Sequence, residues 1–451
     1  MEEITILPQP KKITGLVEID PLTVEDAKRE VKNISDFKKK LEKSFNKRTS
    51  ELVEIILAAS FFLDGSDIHI EPEEERAKFR LRIDGALHDV VYFDRKIYKT
   101  LLSRIKLLSE VKLNISAKPQ DGRFSILIEG KSIEIRTSTI PAEYGESVVM
   151  RVLNPKWIVK MDSLGLREDM LKIFRKEILR PNGMIIATGP TGCGKTTTLY
   201  AFLQEIINPE IKIITIEDPI EYHLKGVAQT QVDESKGYNF ANGLRAIVRQ
   251  DPDVILVGEV RDLETAQISL QAALTGHLVL STVHTNDAAG TVARLQALGE
   301  KASNIAPAIN MAIGQRLVRK ICKKCGVMKT ASKEDLAKLK KALKNLPKQI
   351  KAKLPEVKPG LKLPAAKGCP DCNFTGYRER TGIVEAFLID DEMEKFILKS
   401  PSIAEMRATA VKKGMVMMHE DGLIKVLQGV TTIEEVERIT GEGEEKYYES
   451  A

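Results

Sequence analysis

The sequence predicts an α/β protein: a mostly parallel, doubly wound sheet carrying a phosphate loop, preceded by a smaller α+β domain. Three observations predict it. The apolar run 184–187 opens onto Gly189-Pro-Thr-Gly-Cys-Gly194-Lys195-Thr196, which fits G-x-x-x-x-G-K-[ST] without a mismatch. Strand-like runs at 211–216, 253–257 and 278–282 alternate with helical stretches at 241–249 and 264–274, the pattern of a parallel sheet with crossover helices. Upstream, 67–71, 78–83, 124–128 and 133–136 alternate apolar and polar residues, with Asp84-Gly85 and Glu129-Gly130 as turn signals between such strands.

In chain order, residues 1–48 begin with an extended piece at 4–7. Val24, Ala27, Val31, Ile34, Leu41 and Phe45 then follow at roughly helical spacing, which predicts a helical appendage or linker. Residues 49–153 form the α+β domain, with an amphipathic helix through Leu52, Ile55, Ile56 and Ala59 and a second helix over 97–108. Residues 154–165, with Pro155 and Gly165, read as a linker. The nucleotide domain is expected over 166–320, an insertion over 321–380 and a C-terminal helical region over 381–451.

Length and composition fit this division. At 451 residues the prior is about three domains. The apolar fraction of 43% is ample for several cores, and no apolar run approaches the ~20 residues that span a bilayer. Residues 1–10 hold two glutamates and no apolar core segment, so no signal peptide is read and a cytoplasmic protein is expected. The net charge of +5 is local: 329–362 carries eleven lysines against Glu334, Asp335 and Glu356, which leaves the rest of the chain acidic by three. With 5% aromatic residues and no basic groove outside that segment, a nucleic-acid translocase is disfavoured.

The phosphate loop states its chemistry. Glycines let successive N–H groups turn toward phosphate oxygens, and the helix that begins near Lys195 adds its positive end. Gly189, Pro190, Thr191, Gly192, Cys193, Gly194, Lys195, Thr196 and Thr197 are the nucleotide-binding residues; Lys195 reaches the β/γ-phosphates and Thr196 sits on Mg²⁺. Hydrolysis also needs an acid for Mg²⁺ and one to orient water. Glu217 follows the 211–216 run. Glu259 ends the 253–257 run as a Walker B acid, although Gly258 stands where Asp is usual. Either glutamate is a candidate for the water.

Here the sequence resembles the type II secretion and type IV pilus assembly ATPase family. GPTGCGKTTTLY, ITIEDPIEY, LRAIVRQDPDVILVGEVRD and TGHLVLSTVHTN carry the resemblance, preceded by GSDIHIEP (65–72), RIDG (82–85), PQDGR (119–123) and GESVVMRVL (145–153). It covers about 52–440 and implies a homo-hexameric motor with a RecA-like ATPase domain, a PAS-like N-terminal domain and ATP between them. It implies that Arg80 and Arg95 come from the N-terminal domain to the phosphates, and that Arg245, Arg249, Arg261 and Arg294 are further arginines around the site. His277 and His284 stand in the family's His box and His69 in the SDIHIEP motif; a plain hydrogen-bonding role is as well supported for all three. Only about fifty residues precede the first motif, so the usual first N-terminal domain is expected to be missing or reduced.

Cys322-x-x-Cys325 and Cys369-x-x-Cys372 are paired knuckles able to supply four thiolates to a structural Zn²⁺. Disulfides are the alternative, but cytosolic proteins seldom keep them. Between the knuckles Leu336, Leu339, Leu343 and Leu346 repeat at 3-4-3 intervals, a helical arm interrupted by Pro347. Within the family the tetrad marks extension and secretion motors. The first expectation is therefore a motor for pilin or pseudopilin assembly in type IV pilus biogenesis, and the alternative is a type II secretion ATPase. An inner-membrane platform protein would be the partner, met at the cytoplasmic face, with no membrane insertion and no nucleic acid.

Overall fold

Alternation decides the first sheet. Strand Arg76–Ile83 buries Ala77, Phe79, Leu81 and Ile83 and leaves the residues between them partly in solvent, as a sheet covered on one face requires. In the computed structural model, which describes residues 15–157 and 159–441, the chain divides into two units. One runs to Lys156 and includes Gly368–Thr375; the other comprises Trp157–Lys367 and Gly376 onward. The piece expected at 4–7 and the last residues of the C-terminal region lie outside the described residues.

The first unit is built on seven strands in the order Leu16–Glu18, Gln120–Ile128, Lys131–Ala142, Gly145–Leu153, Gly65–Pro72, Arg76–Ile83 and Ala86–Asp94. All neighbours are antiparallel except the first pair. Helices Thr49–Phe62 and Arg95–Leu108 share its core. Helices Pro21–Glu30 and Ile34–Glu42 deliver Val24, Ala27, Phe37 and Leu41 to the same core. Phe37 meets Phe79 edge-on, with centroids 5.6 Å apart. A buried aromatic of this kind stabilises by about 1.5–3 kcal/mol, so the segment read as an appendage supplies part of the unit's core. Strand Gly145–Leu153 was not among the strands read from the sequence.

The second unit holds a seven-stranded sheet in the order Ala228–Gln231, Ile213–Glu217, Val254–Val257, Leu278–Val283, Gly183–Thr188, Ile309–Ile321 and Tyr377–Leu388. The first six are mutually parallel and the last is antiparallel. Separate apolar clusters form around the sheet, one with Leu244, Leu270 and Leu295, the other with Phe174, Phe202 and Leu203. The central strands are buried along their length. That is why they read as continuous apolar runs.

Strand Tyr377–Leu388 corrects the expectation of a helical region from 381. Its alternation is interrupted by Thr381 and Gly382, and long-range pairing to Ile309–Ile321 holds it extended. Helices Asp391–Ile397, Ile403–Lys412, Met418–Leu427 and Ile433–Thr440 follow. In the lysine-rich arm, helix Lys333–Ala342 opens on a Ser332/Asp335 capping box. Leu339, Leu343 and Leu346 pack with Leu423, Ile424 and Val436. Among the described residues no helix is long and apolar enough to cross a membrane.

Candidate nucleotide site

Helix Lys195–Ile206 has no side-chain cap; its N-cap is Gly194 at φ +89°. The first amide groups of a helix have no partner inside it, and nothing from a side chain fills that role here. They are left for an anion. Gly189 lies at φ +147°, and a Cβ there would come within 2.6 Å of Cys193 Sγ and the Gln315 carbonyl oxygen. Lys195 Nζ donates to the carbonyls of Gly189 at 2.7 Å and Pro190 at 3.2 Å. Burial lowers the lysine's pKa, and the Cys193 thiol and the Glu259 carboxylate partly offset this. The Cys193 thiol is itself buried and pushed up, so it packs under the loop.

The two candidate acids differ. Glu217 is 3% exposed. It accepts from Tyr200 Oη at 2.5 Å, Thr215 Oγ1 at 2.7 Å and Gln229 Nε2 at 3.2 Å. Burial, then the Glu217 charge, push the Tyr200 hydroxyl's pKa up, so it is a fixed donor. The Glu259 side chain is 12% exposed and meets Arg261 at 2.5 Å and His284 at 3.3 Å. The Walker B departure also has a physical cause. A side chain at Gly258 would meet Glu217 Cα and the Ile216 carbonyl oxygen at 3.3 Å, so the neighbouring strand leaves little room for Asp.

Not every expected residue reaches this place. His284 follows strand Leu278–Val283, on the phosphate-loop side, whereas His277 precedes that strand and its Nδ1 donates to the Ala272 carbonyl. Six residues of strand separate them, roughly 20 Å. The two box histidines therefore sit at opposite ends of one strand, and only His284 is on the phosphate-loop side. Arg245 pairs with Glu264, and it and Arg249 line a pocket of about 510 Å³ with Gln271 and Thr275, away from the loop. Arg294 is exposed on helix Gly290–Ala297. In the first unit Arg80 Nη2 meets both Glu71 oxygens, at 2.5 and 2.6 Å. Arg95 donates to the carbonyls of Glu73 at 3.0 Å and Tyr144 at 2.7 Å. His69 is half-buried, and burial, then Arg82, lower its pKa.

Groups that the sequence reading missed complete the site. Thr285 N–H donates to Thr188 Oγ1 at 2.9 Å, tying the loop after one strand to the end of the next. Gln315 Nε2 donates to the Cys193 carbonyl at 2.8 Å. Arg316 donates to the carbonyls of Gln315 at 3.2 Å and Asn286 at 2.8 Å. No spacing rule announces them, because they arrive from neighbouring strands.

The four knuckle sulfurs lie within 4.8 Å of one another. Cys369 Sγ and Cys372 Sγ are 3.7 Å apart, close to the ~3.8 Å edge of a sulfur tetrahedron around zinc at 2.3 Å. The residues fit a structural Zn²⁺.

A phosphate loop after a buried strand of a mostly parallel sheet, with acids at the ends of two other strands of that sheet, defines a P-loop ATPase. The family described as "Type II/IV secretion system protein" matches residues 44–438, and the chain belongs to it. It is 44% identical over 394 residues to the type II secretion system ATPase E of Vibrio cholerae, covering 87% of this chain and 75% of that protein. It is also 44% identical over 392 residues to the type II secretion system protein E of Xanthomonas campestris, covering 86% of this chain and 67% of that one. Among solved structures, the pilus retraction motor PilT with bound ADP is 25% identical at a TM-score of 0.57, covering 85% and 95% of the two chains. The ATPase DotB of Legionella pneumophila, 20% identical at 0.63 and covering 87% and 96%, shares the fold.

Proposed function

We propose that this chain is the ATP-hydrolysing motor of a type II secretion system. It works as a homo-hexamer against a platform protein at the cytoplasmic face of the inner membrane, converting Mg·ATP to ADP and phosphate. The observation that carries the reading is the uncapped helix at Lys195, its ammonium on the loop carbonyls and Glu259 close enough to act on it. Pilus assembly, the first expectation, gives way to secretion. The two relatives at 44% identity carry type II secretion names, whereas the pilus motor is 25% identical.

In this mechanism the loop amides and Lys195 hold the phosphates, Thr196 and Glu259 would hold Mg²⁺, which would offset phosphate charge, and Glu259 with His284 would orient the attacking water. Arg261 neutralises Glu259 until nucleotide arrives. Arg80 and Arg95 serve as phosphate contacts only by giving up Glu71 and the two carbonyls that now hold them. Lys195→Ala should abolish Mg²⁺-dependent turnover; activity within about tenfold of the parent would sink the assignment.

The structural metal of this proposal is one Zn²⁺ per chain on Cys322, Cys325, Cys369 and Cys372. Metal analysis of protein purified without an affinity tag checks it. Below about a tenth of an equivalent, with the thiols reduced, the site is something else.

A further inference from the structure

We propose that Arg316 is a further substrate-binding residue, a same-chain cation that contacts the γ-phosphate of ATP. Lys195 spans the β- and γ-phosphates in a loop of this type. Its ammonium lies on the carbonyls of Gly189 and Pro190, so the γ end of the triphosphate belongs at these first two residues. The Arg316 guanidinium is there: Nη1 is 3.1 Å from where a Gly189 Cβ would stand. The other arginines discussed above that carry an acid, Arg80, Arg245 and Arg261, are tied to Glu71, Glu264 and Glu259. Arg316 has no carboxylate partner among the described residues and donates only to two carbonyls, of Gln315 and Asn286.

Two cations, Lys195 and Arg316, therefore face one glycine loop, close enough that the Arg316 charge disfavours that of Lys195. An arriving phosphate relieves that repulsion, and guanidinium suits phosphate oxygens through its planar fork. The Asn286 carbonyl adds a consequence. Asn286 belongs to the loop of His284 and Thr285, and Thr285 is bonded to Thr188. Moving Arg316 toward a γ-phosphate would loosen its hold on that loop, so the same side chain distinguishes ATP from ADP and reports the difference to His284.

The inference rests on the ATPase reading, and the test separates the two. Binding of ADP and of a β,γ-imido ATP analogue, each with Mg²⁺, is measured on the full chain for the parent, Arg316→Gln and Arg316→Lys. Arg316→Gln should weaken the analogue at least about tenfold and ADP less than about twofold, with Arg316→Lys recovering part of the preference. Equal losses for both nucleotides, or no loss, overturn the proposal and leave Arg316 a brace for the loop. Should the Gln variant fail to fold, Arg316→Lys decides alone, since its single ammonium cannot reproduce the fork and must still lose analogue selectively. A parent that binds neither nucleotide defeats the ATPase reading itself.

Discussion

Strands Ile213–Glu217 and Val254–Val257 are paired in register, and each delivers a glutamate toward the same edge of the same sheet. The surroundings of the two carboxylates are unlike. Glu217 is closed off by a tyrosine, a threonine and a glutamine that fill its acceptor positions. Glu259 keeps an opening to solvent, and its partners Arg261 and His284 are themselves 64% and 47% exposed. An acid after a strand is thus one sequence signal with two outcomes. Where three donors converge in a dry site, a carboxylate is held as a brace. Where the partners are few and exposed to solvent, it can take a metal or a water.

The largest effect should separate the two acids outright. Glu259→Gln keeps the shape and removes the charge that Mg²⁺ and the water need. Turnover should fall at least ~100-fold, about 2.7 kcal/mol of barrier, while nucleotide still binds. Steady-state ATPase together with ADP titration measures both halves. A variant that keeps a tenth of the parental rate breaks the comparison.

Glu217→Gln should show the reverse balance. One oxygen of the amide still accepts from Tyr200 or Thr215, but the amide nitrogen then faces a donor, a cost of about 1–3 kcal/mol. Melting should therefore drop by several degrees while turnover falls no more than about tenfold. A ~100-fold loss of turnover at an unchanged melting temperature would make Glu217 the residue that orients water and reverse the two roles.

These contrasts also mark what was legible in the sequence. The phosphate loop could be read because its chemistry lies within eight consecutive residues whose backbone performs the task. The cysteine cluster could be read because two C-x-x-C knuckles bring four sulfurs together. The buried strands announced themselves by composition. The three donors on Glu217 could not be read, since Tyr200, Thr215 and Gln229 sit on a helix and two strands and meet only when the sheet forms. Gln315 and Arg316 were silent for the same reason. The separation of His277 from His284 was silent because one motif straddles a strand, so its two histidines leave at opposite ends. Residues 381–388 were read as helical because their conformation comes from a partner strand sixty or more residues upstream.

The smallest expected effect tests the seal rather than the acid. Tyr200 is 1% exposed, its hydroxyl donates to Glu217, and Gln229 Nε2 approaches that hydroxyl at 3.4 Å. Tyr200→Phe removes one oxygen and leaves the ring packed, so no large cavity opens. What it leaves behind is a buried carboxylate with two donors instead of three. A hydrogen bond to a charged group contributes about 1.5–3 kcal/mol, and loss of the buried hydroxyl's own desolvation offsets part of that. The net cost should be about 1 kcal/mol, a shift of a few degrees in melting. Because the Glu217 carboxyl keeps its place and its other two donors, turnover per folded molecule should change less than about threefold. If Tyr200→Phe instead lowers turnover as far as Glu259→Gln does, with melting unchanged, the tyrosine acts on the reacting groups. Glu217 would then have to be counted with the chemistry, and the distinction between a sealed acid and an open one would not hold.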